Sequence, residues 1–363
     1  MASVAVVASG FAYAPAAPSA PSASCASPRI GFLGPITGDA AFVGKEQLGF
    51  SKYAIRNLGG GRIKLVEGDT QLDPARAARV GAKLHANQDI LAVVGPAGSQ
   101  EVLAVARIFE KTSRLPFISG SATGTSLTNG SIPSFFRVVP NDSVQSPTIA
   151  KHIRLVLKAK NVLIVDDRTA FSRPLANGVQ SNLKARGVQV TRRSVDQKVT
   201  DFSVLVAKVG PDIDVVFLPW QIAASAQIFG QQLKEQGKKA VIFGSDGLDS
   251  GDFTIAGSYV SAFAPDIRGI RGNAAFIEGY GARFVSNFGP PIYVATQAAI
   301  AAIKRACADG HATRAEVETN LKATFIPKIV LGGNLQFTAR GDRKGAKFSI
   351  FKLGAGGKKA LVG

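Results

Sequence analysis

Residues 29–95 read RIGFLGPITGDAAFVGKEQLGFSKYAIRNLGGGRIKLVEGDTQLDPARAARVGAKLHANQDILAVVG, and their spacing decides the fold. Short apolar and β-branched runs at 29–34, 62–69 and 90–95 are separated by longer stretches, 42–57 and 74–87, in which apolar residues recur at helical intervals. A strand, a helix and a strand of these lengths make a βαβ unit, and such units in series wind a parallel sheet. Gly59–Gly61 ends the first helix and turns the chain into the next strand.

Beyond RVVPNDS, residues 137–143, the same alternation restarts. The helical runs 147–159, 171–187, 202–210 and 223–237 alternate with apolar runs at 161–167, 188–195, 213–219 and 239–246. A strand over 258–264, three helical stretches within 273–324 and a hairpin over 335–353 complete the expectation. The fold class is therefore α/β, with two doubly wound parallel-sheet lobes. The length of 363 residues agrees, because one hydrophobic core stops growing near 250–300 residues.

Toward the amino terminus the pattern stops. Residues 1–28 carry no charged side chain and pass from apolar MASVAVVASGFAYA into Pro- and Ser-rich sequence, which reads as a signal peptide or its remnant, or as a disordered tail. Ser22–Cys25 is similar to a degenerate lipobox, so lipidation at Cys25 is a further expectation; Cys307 would then be a small helix-face residue without a partner.

Catalytic signatures are missing. The sequence has no Gly-x-Gly-x-x-Gly after a strand, no Walker loop, no Gly-x-Ser-x-Gly elbow and no His-Glu-x-x-His, so no enzyme and no cofactor is expected. His85, His152 and His311 lack neighbours at metal-ligand spacing, and Asp246, Asp249 and Asp252 do not match a calcium loop. What remains are the loops at the carboxyl ends of the first lobe's strands, where open α/β sheets bind ligands. VVGPAGSQEVLAVAR carries Ser99, and PFISGSATGTSLT carries Ser121, Ala122 and Thr123. The competing reading is structural: Ser99 is well placed as a helix N-cap.

These segments carry a resemblance. IGFLGPITGDAAFVGKEQLGF, DTQLDPARAARV, VVGPAGSQEVLAVARIFE, ISGSATGTSLT, FFRVVPND, IVDD with FSRPLA, and FGSDGL resemble, in this order, the Leu/Ile/Val-binding family of ABC-transporter solute receptors, which are type I periplasmic binding proteins. The resemblance runs from Arg29 to the carboxyl end and implies two lobes joined by three hinge crossovers, placed near Pro140, Ala264 and Leu335. The lobes are then 29–140 with 265–334, and 141–264 with 335–363. The family's carboxylate-binding positions fall on Ser99 and Thr123, with backbone groups from Ser121 and Ala122; its acidic partner of the ammonium falls on Asp246, a methylene shorter than the usual Glu. Phe171 stands where many relatives carry Tyr, and Phe42, Trp220 and Tyr293 are the aromatic candidates for the pocket.

The resemblance implies a monomeric, exported receptor that encloses an apolar amino acid between its lobes and presents it to an ABC permease. An aromatic acid or amide as ligand, or a ligand-sensing receptor domain, is the alternative. The net charge of +18 first suggests nucleic acid, but no nucleic-acid motif accompanies it. Its densest local excess lies in the tail, at Arg340, Arg343, Lys344, Lys347, Lys352, Lys358 and Lys359, and reads as solvated surface.

Overall fold

The computed structural model describes residues 22–363, so the expected signal segment lies largely outside the described residues. The strands are β1 (Ala23–Ser24), β2 (Arg29–Gly34), β3 (Lys64–Asp69), β4 (Ile90–Val94), β5 (Phe117–Ser119), β6 (Phe135–Arg137), β7 (Asn161–Asp166), β8 (Gln189–Ser194), β9 (Val215–Leu218), β10 (Val241–Gly244), β11 (Tyr259–Ala262), β12 (His311–Ala312), β13 (Phe325–Ile326), β14 (Leu335–Gln336), β15 (Ser349–Leu353) and β16 (Lys359–Leu361). The helices are α1 (Ala41–Leu58), α2 (Pro74–Ala86), α3 (Ser99–Phe109), α4 (Asp142–Lys151), α5 (Ser172–Lys184), α6 (Ser203–Ala207), α7 (Ala223–Glu235), α8 (Ala274–Tyr280), α9 (Gly289–Ala306) and α10 (Arg314–Lys322).

A five-stranded sheet in the order β3-β2-β4-β5-β6 is parallel throughout. Its inner strands β2, β4 and β5 are apolar on both sides because both faces are covered, whereas the edge strand β3 is only partly buried. One face packs on α2 and α3 through Leu84, Val102, Val105 and Phe109; the other packs on α1, α9 and α10 through Phe50, Ile300, Ala302 and Val317. The second sheet has seven strands in the order β16-β15-β11-β10-β9-β7-β8. Strands β7 to β11 are parallel, and β15 and β16 add an antiparallel edge. Helices α4 and α5 cover one face, and α6 and α7 the other.

Three expectations need correction. The hairpin over 335–353 forms only around its turn, where Phe337 bridges Arg343 antiparallel; beyond it β14 pairs with β13, whereas β15 pairs with β11. Leu335, Phe337 and Phe348 are buried in the first lobe's core, so the chain enters the second sheet only at Ser349 and not at Leu335. The helical stretch expected from 273 to 288 ends at Tyr280, where Gly281 takes a left-handed φ of 70° and caps it.

Residues 22–28, read from sequence as part of an export segment or tail, are ordered against the first lobe. Ala23 and Ser24 pair antiparallel with Ala312 and His311, and Cys25 forms a disulfide with Cys307 across a Cα–Cα distance of 5.6 Å. The Cys25 sulfur is thus occupied, which argues against lipidation, and Cys307 has a partner after all.

The basic tail is also not all solvated surface. Arg343 Nη2 donates to the Gly332 carbonyl at 2.8 Å, and Lys359 is held by Asp249. Among the described residues no helix is long and apolar enough to cross a membrane.

Candidate functional site

The site begins where β4 and β5 end. Gly95 leaves β4 with φ 100°, and a Cβ there would lie 2.0 Å from the Leu33 carbonyl oxygen, so only glycine makes this turn. The Glu101 carboxylate accepts the Gly98 amide at 2.6 Å and caps α3. Burial pushes the Glu101 pKa up to about 7, against the pull of Thr70 and the Gly98 amide. The N-cap is therefore Gly98, and Ser99, expected as the cap, is the first helical residue. Ser99 Oγ, 2% exposed, accepts the Gly124 amide at 3.1 Å, which leaves its proton free for a ligand oxygen.

The loop after β5 is fixed from beneath. Ser119 Oγ accepts the amides of Ser121 and Ala122 and donates to the Pro96 carbonyl. Ser121 Oγ donates to the Ala97 carbonyl and accepts from Gln47 Nε2, both at 2.9 Å, so this hydroxyl is already committed to the fold. Arg137, wholly buried on β6, donates to the carbonyls of Ala122 at 3.1 Å and Gly124 at 2.8 Å and pairs with Asp342 at 2.6 Å. With those carbonyls turned to the guanidinium, the Thr123 amide donates to no acceptor among the described residues, and its buried Oγ1 has no hydrogen-bond partner. A hydroxyl and an amide left unsatisfied in this way are matched by an incoming oxyanion.

The second lobe contributes the opposite sign. Asn141 caps α4 by accepting the Ser143 amide, and the Asp142 amide donates to the Thr123 carbonyl at 2.9 Å, which ties α4 to the loop after β5. The Asp142 carboxylate is buried with both oxygens lacking a partner. Desolvation raises its pKa to about 6, against the opposing pull of the neighbouring Thr123 hydroxyl and the Arg137 charge. Asp246, 3% exposed, lies in the turn after β10, and Gln145 Nε2 reaches from α4 to bond both its Oδ1 and, at 2.9 Å, Ser261 Oγ. Burial, and then the nearby Asp142 charge, hold the Asp246 carboxyl well above its ordinary value. Neither acid forms an ion pair among the described residues. Two buried acids without an ion-pair partner, the second raised further by the charge of the first, can accommodate a cation.

A second bridge closes the lobes. Gln100, next to Ser99, donates through Nε2 to Gln221 Oε1 at 2.9 Å. Gly247, next to Asp246, packs on that strand end so closely that a Cβ would lie 2.3 Å from the Trp220 carbonyl oxygen. The hydroxyl side and the acid side of the site are thus drawn together from both flanks.

The aromatic candidates divide. Phe42 is half-buried, meets Phe288 edge-on at 6.0 Å, and touches the cores of both lobes, so it stands at their junction. Trp220 does not project into the cleft as expected: its indole Nε1 donates to the Val165 carbonyl at 2.7 Å, and its ring packs between Phe202 and Phe229 in the second lobe's core. Phe171 is buried in that lobe's other core cluster, at the start of α5. Tyr293 is buried in the first lobe against Phe276 and Tyr53. Sequence reasoning missed Asp142 and Gln145. The motif FFRVVPND contained Asp142, but an acid in a helix's first turn is also what the helix dipole favours, and that reading hid it.

Unspent donors of the first lobe and uncompensated acids of the second meet where the two α/β lobes join, the arrangement of a two-lobed binding protein. The chain belongs to the periplasmic binding protein family, whose model matches residues 27–358. It is 28% identical over 333 residues to the Leu/Ile/Val-binding protein of Citrobacter freundii, covering 89% of each chain. It is 26% identical to an amino acid binding protein of Pseudomonas aeruginosa, covering 91% of each. Its fold matches a leucine-binding protein of Thermotoga maritima with a TM-score of 0.83 at 20% identity, covering 93% of this chain and 98% of that one. A branched-chain amino acid transporter substrate-binding protein of Streptococcus pneumoniae, solved with isoleucine, gives 0.81 at 24% identity, covering 93% and 99%.

Proposed function

We propose that this protein is the exported solute-binding component of an ABC importer and captures an apolar amino acid as its zwitterion. The observation that carries the reading is that the buried, unpaired acids Asp142 and Asp246 lie at the same lobe junction as the unspent Thr123 hydroxyl and amide, which adjoin Asp142. The ligand carboxylate meets Ser99 Oγ, Thr123 Oγ1 and the Thr123 amide; its ammonium meets the two acids; its side chain lies toward Phe42. Hinge closure brings the two halves of the site together, and the closed single chain is what a permease reads. The Cys25–Cys307 disulfide supports export, because such bonds persist in oxidising compartments.

The acid pair also favours an amino acid over an aromatic acid. A benzoate-like ligand, as in a solute-binding protein of R. palustris solved with benzoate, brings no cation and would leave both carboxylates buried and unpaired. Calorimetry with leucine, its matched 2-oxo acid and benzoate tests this. Leucine should bind and the other two should not, and Asp246→Ala should abolish leucine binding without changing the circular dichroism spectrum. Undiminished leucine affinity in that variant, or a preference for the 2-oxo acid or benzoate, sinks the assignment.

A further inference from the structure

The turn that carries Asp246 is anchored from a distance. Asp249 closes it, with its amide on the Asp246 carbonyl at 3.0 Å, and its side chain is 3% exposed. That carboxylate accepts the Asn287 amide at 3.2 Å from the segment leading into α9 of the first lobe. Its other oxygen is held by Lys359 Nζ, which also donates to the Val285 carbonyl at 3.0 Å. Lys359 sits on β16, the edge strand of the second sheet, with a side chain only 13% exposed. The same first-lobe segment is gripped from α1: Glu46 accepts the amides of Val285, Ser286 and Gly289 and the Ser286 hydroxyl. A lysine from the far edge of one lobe therefore neutralises a buried acid at the root of the binding turn and reaches across to the other lobe's backbone.

The geometry points to Lys359 as a positioning residue that holds the Asp246 turn against the first lobe and so favours the closed cleft. Removing the ammonium leaves Asp249 buried without its cation, a change that costs far more than an exposed ion pair. The turn should then loosen locally while the sheets keep their packing. The consequence for affinity rests on the amino-acid reading above; the consequence for the turn does not.

Hydrogen exchange and calorimetry on the full chain separate the two. Lys359→Met should speed exchange of the amides at 246–250 and 285–289 by on the order of tenfold or more while the remaining core amides keep their rates, and should weaken leucine binding by a similar factor. Lys359→Arg should restore both, and Asp249→Asn combined with Lys359→Met should slow the exchange again by removing the stranded charge. Unchanged exchange at those amides, or an equal rise across the whole chain, overturns the inference. If the wild-type protein fails to bind leucine, the functional reading falls, and the exchange pattern still decides the role of Lys359.

Discussion

On the proposed function, lowering the pH should weaken ligand binding before it harms the fold, because burial raises the pKa of the two acids assigned to the ammonium. Asp142 titrates at about 6 in the folded, ligand-free protein instead of 3.8, so its ionised form is disfavoured by about 3 kcal/mol. The native state keeps a proton that the unfolded chain has released. This group therefore contributes stability below pH 3.8, and the contribution is lost as pH rises through about 6. A ligand ammonium reverses the preference by favouring the carboxylate, so binding below that value must expel the proton. From Asp142 alone the dissociation constant should be about tenfold higher at pH 5 than at pH 7. Asp246, raised by burial and by Asp142, steepens the dependence.

The assay is calorimetric titration with leucine at pH 5, 6, 7 and 8, each in two buffers of different protonation enthalpy, so that released protons are counted directly. Asp142→Asn keeps the shape of the side chain and should flatten the dependence to what Asp246 supplies. A dissociation constant that stays level from pH 5 to 7, with no buffer-dependent heat, would show that neither acid meets the ligand's charge.

Two further perturbations address the scaffold. Arg137→Met removes the donors that hold the carbonyls of Ala122 and Gly124 and strands Asp342, and should cost about 3–5 kcal/mol in denaturant unfolding; a loss under 1 kcal/mol would refute its role as the loop's anchor. Cys25→Ser opens a covalent link across 282 residues of sequence and should lower stability by about 2–5 kcal/mol, with reductant producing the same loss in the wild type and none in the variant. Two titratable thiols in the native, unreduced protein would contradict the pairing.

The parallel sheets were legible because both their faces are covered, so their inner strands appear as unbroken apolar runs with helices of the right length between them, and only the edge strands β3 and β8 are polar. The third crossover was not. Leu335 and Phe337 alternate with polar residues as an edge strand would, yet both turn into the first lobe's core, and the chain reaches β15 only twelve residues after Phe337. Local alternation reports that one face is buried, not which lobe buries it. The disulfide was hidden for a related reason: Cys25 lies in sequence that looks like a cleavable leader, and only the pairing of Ala23–Ser24 with His311–Ala312 brings it to the end of α9.

The site divides along the same line. Ser99 and Thr123 were readable because their position follows from topology: loops at the carboxyl ends of neighbouring strands converge. Trp220 follows a strand end and a proline just as plausibly, but its direction is set by a single long-range hydrogen bond to Val165, 55 residues away in sequence, which no local pattern encodes. Asp142 is the inverse case. Its place at the start of α4 is what any helix prefers, and it becomes a candidate only when both carboxylate oxygens are found buried without a partner. Ser121, Arg137 and Trp220 spend their polar atoms on the fold, whereas Thr123 Oγ1 and both Asp142 carboxylate oxygens, neighbours at the lobe junction, are left open. On the function proposed above, the ligand carboxylate goes to the first lobe's loops and its ammonium to the acids of the second, and it is the open atoms rather than residue identity that carry this reading.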